Sequence, residues 1–224
     1  MIAVTFALPS ESSAFIRLLQ SPEHGAAGPH TISGTLHGRA VCVFHTGVGE
    51  RTTRERLAHF LREQTPQLLI SSGFAGALSE QLRVGDIFVD ENCSDPDRAR
   101  RCALPLARLA TVSEVIESDA ARSQLALQTG ADAVDMETEW IAELCRAAGV
   151  PLLSLRVISD STAEPLPAPA RFLFDVAHQR TPFFKLALYV VRHPAAVIGL
   201  IKFAKRIAGA RSQLTDALSK ICAM

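Results

Sequence analysis

Three carboxylates stand where the chain changes from one kind of structure to another. Glu11 opens a helix-like stretch just after the apolar run 2–8, Glu137 lies at a strand-to-helix junction, and Asp160 ends the apolar run 152–159. The carboxyl ends of parallel strands meet at one edge of a sheet, so we expect these side chains to lie close together. Grouped carboxylates are suited to general acid and base catalysis.

Each carboxylate also has a purely structural interpretation. A glutamate in the first turn of a helix is stabilised by the helix dipole, which is what the position of Glu11 alone favours. Asp160 precedes Ser161 and Thr162, so on its own it is best interpreted as an N-cap or turn residue. Glu137 is equally consistent with a solvated glutamate at a helix start.

Other kinds of chemistry have little support in the sequence. The seven histidines show no metal-binding spacing, the five cysteines form no C-x-x-C pair, and no G-x-S-x-G motif is present. Gly47-Val48-Gly49 is half of a dinucleotide fingerprint, but Thr52 stands in place of the third glycine. We therefore predict acid and base catalysis without a metal or a cofactor.

Strand-like and helix-like runs alternate along the chain. The predicted strands are 2–8, 40–46, 67–73, 85–90, 109–116, 132–135 and 151–158. The predicted helices are 10–20, 50–64, 119–129 and 136–148. This alternation predicts one α/β domain, residues 1–224, with a mixed, mostly parallel sheet between helical layers.

Two stretches interrupt this rhythm. Residues 91–108 are polar, rich in arginine and weakly periodic, which indicates a surface excursion. Residues 163–170 are rich in proline and follow an apolar strand. Since α/β enzymes carry their active-site loops beyond the carboxyl ends of strands, 163–170 is a candidate site loop.

The bulk composition is that of a globular protein with a sizeable core. Apolar residues make up 48% of the chain, the formal net charge is zero and the pI is about 7.1, so no global field attracts nucleic acid. The first residues predict a strand rather than a signal peptide, and apolar runs are too short to span a membrane. We expect a cytoplasmic protein with a small-molecule substrate and no nucleic-acid partner.

The last third of the chain is basic. Residues 176–215 contain no acidic residue, and a helix through 195–208 would place Lys202, Lys205 and Arg206 on one face with apolar residues opposite. The simpler interpretation of this extension, about 181–220, is a helix docked on the core with a solvated basic face. The alternative is contact of 183–208 with an anionic membrane surface or with an apolar ligand tail.

The segments 71–90 and 134–160 carry the motifs G-x-A-G-x-L, V-G-D-I, D-M-E and R-x-I-S-D in that order. Together with the opening IAVTFALPSES, they resemble the signature blocks of the purine nucleoside phosphorylase and methylthioadenosine nucleosidase superfamily. The resemblance covers about residues 1–160. It implies a three-layer αβα sandwich that binds a purine nucleoside, and, because members are commonly oligomers, a homodimer.

The resemblance implies roles for the carboxylates. Asp160 matches the residue that protonates the purine N7, and Ser159 would hold it in place. An acid near pH 7 would need a pKa about three pH units above the usual aspartate value, at a cost of about 4 kcal/mol. Such a shift requires burial or a neighbouring carboxylate. Glu11 matches the residue that activates the attacking water, and Glu137 matches the carboxylate that binds the ribose.

The remaining predicted substrate-binding residues surround these carboxylates. Met136 would pack against the sugar, although a plain core methionine is an equal alternative. Arg156 would orient Glu11 or the water, or would be a structural partner of Glu137, since an arginine in an apolar strand needs an anion. The set is completed by residues placed near the base or in the block that begins at Ser71: Gly73, Phe74, Val115 and Ile116.

The choice between hydrolase and phosphorylase depends on the phosphate site. Phosphorylases of this superfamily hold phosphate with arginine near the block that begins at Ser71 and with a glycine-rich loop after the first strand. Here that loop is Pro9-Ser10-Glu11, whose carboxylate would repel phosphate, so water is favoured as the nucleophile. A phosphorylase that uses Arg51 or Arg54 remains an alternative. So does a non-catalytic nucleoside-binding module, if Glu11 and Asp160 face different cavities.

The substrate is expected to be an adenosyl nucleoside with a bulky or apolar 5′ group. Phe74 stands where methylthioadenosine nucleosidases usually carry serine. The basic, apolar C-terminal extension and the string TGADAVDME resemble the hopanoid-associated branch, and futalosine hydrolases are another neighbour. Adenine would be the released base.

Overall fold

The computed structural model describes residues 1–173 and 183–224, without the side chains of residues 183 and 185. Its strands are β1 (Ile2–Phe6), β2 (Gln20–His24), β3 (Thr31–Leu36), β4 (Arg39–His45), β5 (Leu68–Ala77), β6 (Ile87–Asp90), β7 (Leu106–Ala107), β8 (Leu109–Thr111), β9 (Ala133–Asp135) and β10 (Leu152–Asp160). Its helices are α1 (Pro9–Ile16), α2 (Glu50–Glu63), α3 (Pro96–Arg101), α4 (Asp119–Thr129), α5 (Thr138–Ala147), α6 (Ala170–Leu173), α7 (Phe183–Arg192) and α8 (Ala196–Ala223).

The ten strands form one mixed sheet. Its centre is parallel: β1 lies between β4 and β5, and β10 follows β5, in the order β2-β3-β4-β1-β5-β10-β6-β7. Antiparallel pairs extend the sheet at both sides, where β2 and β3 precede β4, and β6 follows β10. The end of β5 also pairs with β9, which continues to β8. The four central strands thus end at the same edge.

Helices cover both faces of the sheet. Successive side chains of a strand point to opposite faces, so Val4 and Ala3 of β1 enter different cores. On one face α1, α3 and the second half of α8 pack against the sheet, and on the other face α2 and α5 do. The predicted α/β sandwich with a mixed sheet between helical layers is confirmed.

One local prediction was wrong. The strand expected at 109–116 ends at Thr111, and Val115 and Ile116 lie in the loop before α4. The stretch 91–108, expected as a surface excursion, contains the short elements α3 and β7. Asp95 caps α3 by accepting a hydrogen bond from the backbone N–H of Arg98 at 3.0 Å, and a helix of six residues is too short to show a clear period.

The C-terminal helix α8 is longer than the stretch 195–208 and has two distinct halves. Its second half belongs to the core, where Leu214 and Leu218 are buried against the sheet. Its first half is exposed, as Ile198 at 65% shows. Residues 181 and 182 of the predicted extension lie outside the described residues. Within the part of the chain that the structure describes, no helix is long and apolar enough to cross a membrane.

Candidate active site

A cavity of about 350 Å³ opens at the edge where the central strands end. Its volume lies in the range of pockets that bind small molecules, about 300–1,000 Å³. Glu11, Glu137 and Asp160 all line it, so the three carboxylates that the sequence singled out lie around one space. They come from α1, from the start of α5 and from the last position of β10.

Glu11 has a structural role and also faces the cavity. Its Oε2 accepts hydrogen bonds from the backbone N–H groups of Ala7, at 3.0 Å, and Leu8, at 3.2 Å, which caps α1. Burial raises the pKa of Glu11 from its usual 4.5 to about 7, although the two backbone donors and the charge of Arg156 lower it. A carboxyl with a pKa near 7 is able to accept a proton at neutral pH and release it again.

Glu137 also faces the cavity and is held by a backbone donor. It lies two residues after the end of β9, and its Oε1 accepts a hydrogen bond from the backbone N–H of Gly49 at 3.0 Å. Gly49 has a φ of 83°, which a residue with a side chain rarely adopts. Burial and the negative charge of Asp135 raise the pKa of Glu137 above its usual value, while the Gly49 N–H and Arg156 oppose the rise. The loop after β4 therefore fixes this carboxyl.

Arg156 does not contact Glu11 or Glu137 through a hydrogen bond, which corrects both interpretations of its partner. Its Nη2 and Nε donate to Oδ2 of Asp135 at 2.9 and 3.1 Å, and it also binds Ser71 and the hydroxyl of Thr138. The pair is almost fully buried. An arginine in an apolar strand did need an anion, as expected. That anion is the residue two positions before Glu137, so Arg156 acts on the carboxyls only through its charge.

Asp160 is ion-paired with Arg122, a residue that the sequence did not single out. Arg122 lies in α4 and donates through Nη2 to Oδ2 of Asp160 and through Nη1 to the carbonyl of Ala77 at 2.9 Å. The hydroxyl of Ser159 lies 2.6 Å from Oδ1 of Asp160, where the sequence placed it. Of the two expected alternatives, Asp160 is buried, and its charged neighbour is a guanidinium and not a carboxylate. Nothing in the polar sequence of α4 indicated which of its faces would enter the site.

A small space of about 30 Å³ adjoins the main cavity and shares Glu11, Glu137 and Phe74 with it. Gly73 lines this small space rather than the main cavity. Ser72 also lines it, and its buried Oγ has no hydrogen-bond partner among the described residues. A polar space of this size is large enough for a water molecule.

Apolar side chains form the remainder of the main cavity. Met136, Val115, Ile116 and Phe74 line it as predicted. Its other apolar residues include five from the proline-rich loop, α6 and α8, namely Leu166, Ala170, Leu173, Phe203 and Ile207. The sequence indicated the loop but not these contacts, because they depend on how α8 crosses the sheet edge.

The arginines considered for a phosphate site lie elsewhere. Arg54 pairs with Glu50 at 2.8 Å and with Glu143 at 2.6 Å, and its guanidinium stacks on Trp140. Arg51 is exposed on the same helix, α2. Neither lines the cavity. Over residues 1–173 and 183–224, no group of three or more histidine, cysteine, aspartate or glutamate side chains is arranged to hold a metal ion.

Comparison with known proteins identifies the family. The sequence profile of the phosphorylase superfamily matches residues 1–106 and 98–192. The 5′-methylthioadenosine/S-adenosylhomocysteine nucleosidase of Staphylococcus aureus is 24% identical over 181 residues, which cover 64% of this chain and 78% of that protein. The crystal structure of the corresponding nucleosidase from Campylobacter jejuni superposes with a TM-score of 0.74 at 18% identity and covers 99% of this chain and 98% of its own. A futalosine hydrolase mutant of Helicobacter pylori has a TM-score of 0.64 at 20% identity, covering 71% of this chain and 85% of its own. This chain belongs to the phosphorylase superfamily.

Proposed function

We propose that this protein is a purine nucleosidase, which hydrolyses the N-glycosidic bond of an adenosyl nucleoside and releases adenine. The observation that carries the proposal is the convergence of Glu11, Glu137 and Asp160 on one cavity of about 350 Å³. The similarity to methylthioadenosine and S-adenosylhomocysteine nucleosidases supports the choice of substrate class.

Glu11 is the general base. The attacking water occupies the small space between Ser72 and the two glutamates, where the unpaired hydroxyl of Ser72 would hold it. Glu11 takes one proton from this water as the oxygen bonds to C1′ of the ribose. The C1′–N9 bond breaks with its electron pair on the purine, which Asp160 protonates at N7, so that neutral adenine leaves. Because the pKa of Glu11 is about 7, its carboxylate form is available at neutral pH.

Glu137 and Met136 bind the ribose. The free oxygen of the Glu137 carboxyl accepts hydrogen bonds from the ribose diol, while its other oxygen stays on the Gly49 N–H. A carboxyl beside C1′ also stabilises the positive charge that develops on the sugar. The Asp135–Arg156 pair supports this arrangement, since Asp135 accepts hydrogen bonds from the backbone N–H groups of Glu137 and Thr138. Val115 and Ile116 flank the base, next to Asp160 and Ser159.

Water, and not phosphate, is the nucleophile. The carboxyl groups of Glu11, Glu137, Asp135 and Asp160 line the main cavity, and the arginines that line it or the small space are each paired with an aspartate. A phosphate dianion needs unpaired cations or several backbone donors. Phosphate-dependent turnover would instead identify a phosphorylase, and binding without release of adenine would identify a non-catalytic module.

The 5′ substituent is bulky or apolar. Leu173, Phe203 and Ile207 give the cavity an apolar side to which residues 1–173 and 183–224 add no charged group. A panel of methylthioadenosine, S-adenosylhomocysteine and adenosine with a long alkyl 5′ group tests this. Higher kcat/KM for the alkyl substrate is expected, and a clear preference for methylthioadenosine would contradict the proposal.

We propose that α7 and the exposed first half of α8 contact an anionic membrane surface from the cytoplasm. Its exposed apolar side chains are Phe184, Leu188, Val191, Val197, Ile198 and Ile201. Arg192, Lys202 and Lys205 are exposed among them, and residues 176–215 contain no acid. Charge complementarity thus favours anionic lipid, and α8 carries both this surface and two cavity residues. Binding to phosphatidylglycerol vesicles but not to phosphatidylcholine vesicles is expected.

We also propose that the protein forms a homodimer. Size-exclusion chromatography with light scattering, which measures molecular mass in solution, tests this proposal. If the exposed apolar surface of α7 and α8 is buried between two copies, the Ile198→Asp variant will be a monomer and wild type will not bind vesicles. Such a result would overturn the membrane proposal and leave the nucleosidase proposal unchanged.

The central experiment is adenine release by wild type, Glu11→Gln and Asp160→Ala, each with and without phosphate. Wild type is expected to release adenine equally well in both conditions. Removal of a general base lowers the rate about 10²- to 10⁴-fold. Full activity of Glu11→Gln would refute the assignment of the base, and full activity of Asp160→Ala would refute the assignment of the acid.

A further inference from the structure

A second cavity, of about 400 Å³, lies at the edge of the sheet opposite the candidate active site. Ile2, Leu68 and Leu153, which stand at the beginning of β1, β5 and β10, form its apolar base. Ala7, just after β1, lines the active-site cavity instead. A strand rises about 3.3 Å per residue, so the two cavities lie roughly 16 Å apart along β1. The second cavity is therefore separate from the reacting groups.

Three arginines line this cavity. Arg39 is the first residue of β4, and Arg98 and Arg101 lie in α3. Their guanidinium groups form no hydrogen bond or ion pair with any residue that the structure describes. Arg100 of the same helix, in contrast, pairs with Asp97 at 3.1 Å. We call this space the arginine cavity.

The positive charge of the arginine cavity is not balanced by its surroundings. No aspartate or glutamate of the described chain lines it. The adjoining cavity, which shares Cys102 with it, is lined by Asp216 and Lys220, one charge of each sign. A cleft lined by charges of one sign raises the local concentration of the opposite ion. The arginine cavity is thus suited to an anion.

We propose that the arginine cavity binds a small organic phosphate, a phosphate monoester that carries an apolar group. Such a phosphate has a charge of about −1.5 to −2 at pH 7 and three acceptor oxygens. Guanidinium groups bind these oxygens through pairs of parallel hydrogen bonds. A carboxylate would bring a single charge to three arginines. The apolar base, which Ile221 of α8 completes, contacts the rest of the ligand.

This site is independent of the proposed nucleosidase activity. The bound phosphate is too far from Glu11 to attack a sugar there, so it is a ligand and not the nucleophile. The arginines at the active site, Arg122 and Arg156, are each paired with an aspartate. The two cavities therefore differ in the property that phosphate binding requires, which is unpaired guanidinium groups.

Isothermal titration calorimetry with phenyl phosphate at low ionic strength tests the proposal. Wild type is expected to bind phenyl phosphate, and uncharged phenol should bind at least tenfold more weakly. Inorganic phosphate should bind about tenfold more weakly than phenyl phosphate, because it leaves the apolar base uncovered. Arg39→Gln and Arg101→Gln should each weaken the binding of phenyl phosphate about tenfold, because each removes a charged hydrogen-bond donor. Both arginines are exposed, so these variants should fold.

The matched control is Arg100→Gln, which removes a charge from the same helix but outside the cavity and should leave the affinity unchanged. Absence of phenyl phosphate binding to wild type, or an equal loss of affinity in all three variants, would overturn the inference. Vesicles of phosphatidic acid distinguish the source of the phosphate. Displacement of phenyl phosphate by the vesicles would indicate a lipid headgroup, and no displacement would indicate a soluble ester. None of these measurements depends on adenine release, so their failure leaves the proposed function unchanged.

Discussion

Replacing Glu11 by glutamine is predicted to stabilise the protein at neutral and alkaline pH while it abolishes most of its activity. Burial raises the pKa of this carboxyl from 4.5 to about 7. Below pH 4.5 the group is protonated in the folded and the unfolded chain. As the pH rises from 4.5 to 7, the unfolded chain ionises first, so the free energy of unfolding falls. Above pH 7 this carboxyl causes no further decrease in the free energy of unfolding.

The increase in the pKa of Glu11 sets an upper limit on the change in unfolding free energy. At about 1.36 kcal/mol per pH unit, the upper limit is about 3.4 kcal/mol. The carboxyl is partly exposed to the cavity, where water screens it. We therefore expect Glu11→Gln to gain roughly 1–2 kcal/mol at pH 8. The glutamine oxygen keeps both hydrogen bonds from Ala7 and Leu8, so the cap of α1 is not lost.

The assay is urea denaturation of wild type and Glu11→Gln at pH 5, 6, 7 and 8, with adenine release measured in parallel. The difference in unfolding free energy should be small at pH 5 and reach its full value near pH 8. Glu80→Gln, at an exposed position, is the control and should show no such trend. A Glu11→Gln variant that is less stable than wild type at pH 8, or equally stable at all four values, would refute the reasoning.

Three further variants probe other parts of the site. Arg156→Leu leaves Asp135 buried without its partner, so urea denaturation should show a loss of about 3–5 kcal/mol. Phe203→Ala should raise KM for a substrate with an alkyl 5′ group about tenfold and leave kcat unchanged. The reason is that the lost apolar contact is equally strong in the ground state and the transition state. Equal KM values for wild type and Phe203→Ala would show that α8 does not contact the substrate. Gly76→Ala would place a Cβ 3.3 Å from Oδ2 of Asp160, so it should displace this carboxyl and lower kcat at least tenfold with little change in melting temperature. An unchanged kcat would show that the neighbouring side chains adjust freely.

The sequence predicted those features that depend on the order of elements along the chain. Glu11 follows β1 and Asp160 ends β10, and a sheet with parallel central strands brings such positions to one edge regardless of side-chain detail. Glu137 reaches the same edge from β9, which pairs antiparallel with β5, so the rule for parallel strands does not account for its position. Helix α4 was predicted at its observed bounds, because Ser118 caps it and Gly130 ends it in a left-handed conformation. These signals come from residues close together in the sequence, so the ends of the helix can be predicted without the structure.

Features that depend on side-chain direction were not predictable. Arg156 clearly required an anion, but whether that was Glu11, Glu137 or Asp135 depends on how β9 packs against β5. Arg122 had no signal at all, since an arginine on a polar helix is usually solvated. The strand expected through Ile116 failed for a related reason: Val115 and Ile116 face the cavity instead of a neighbouring strand.

The division of the cavity between two regions of the chain has a consequence for how this protein could diversify. The reacting carboxyls stand on the rigid sheet and its adjoining helix starts, whereas residues 163–173 and the first half of α8 supply the apolar end. Chimaeras that exchange only that C-terminal portion should therefore acquire the donor's substrate preference and keep this protein's turnover chemistry. Related proteins could change their nucleoside substrate in the same way during evolution, without changes in the residues that cleave the N-glycosidic bond.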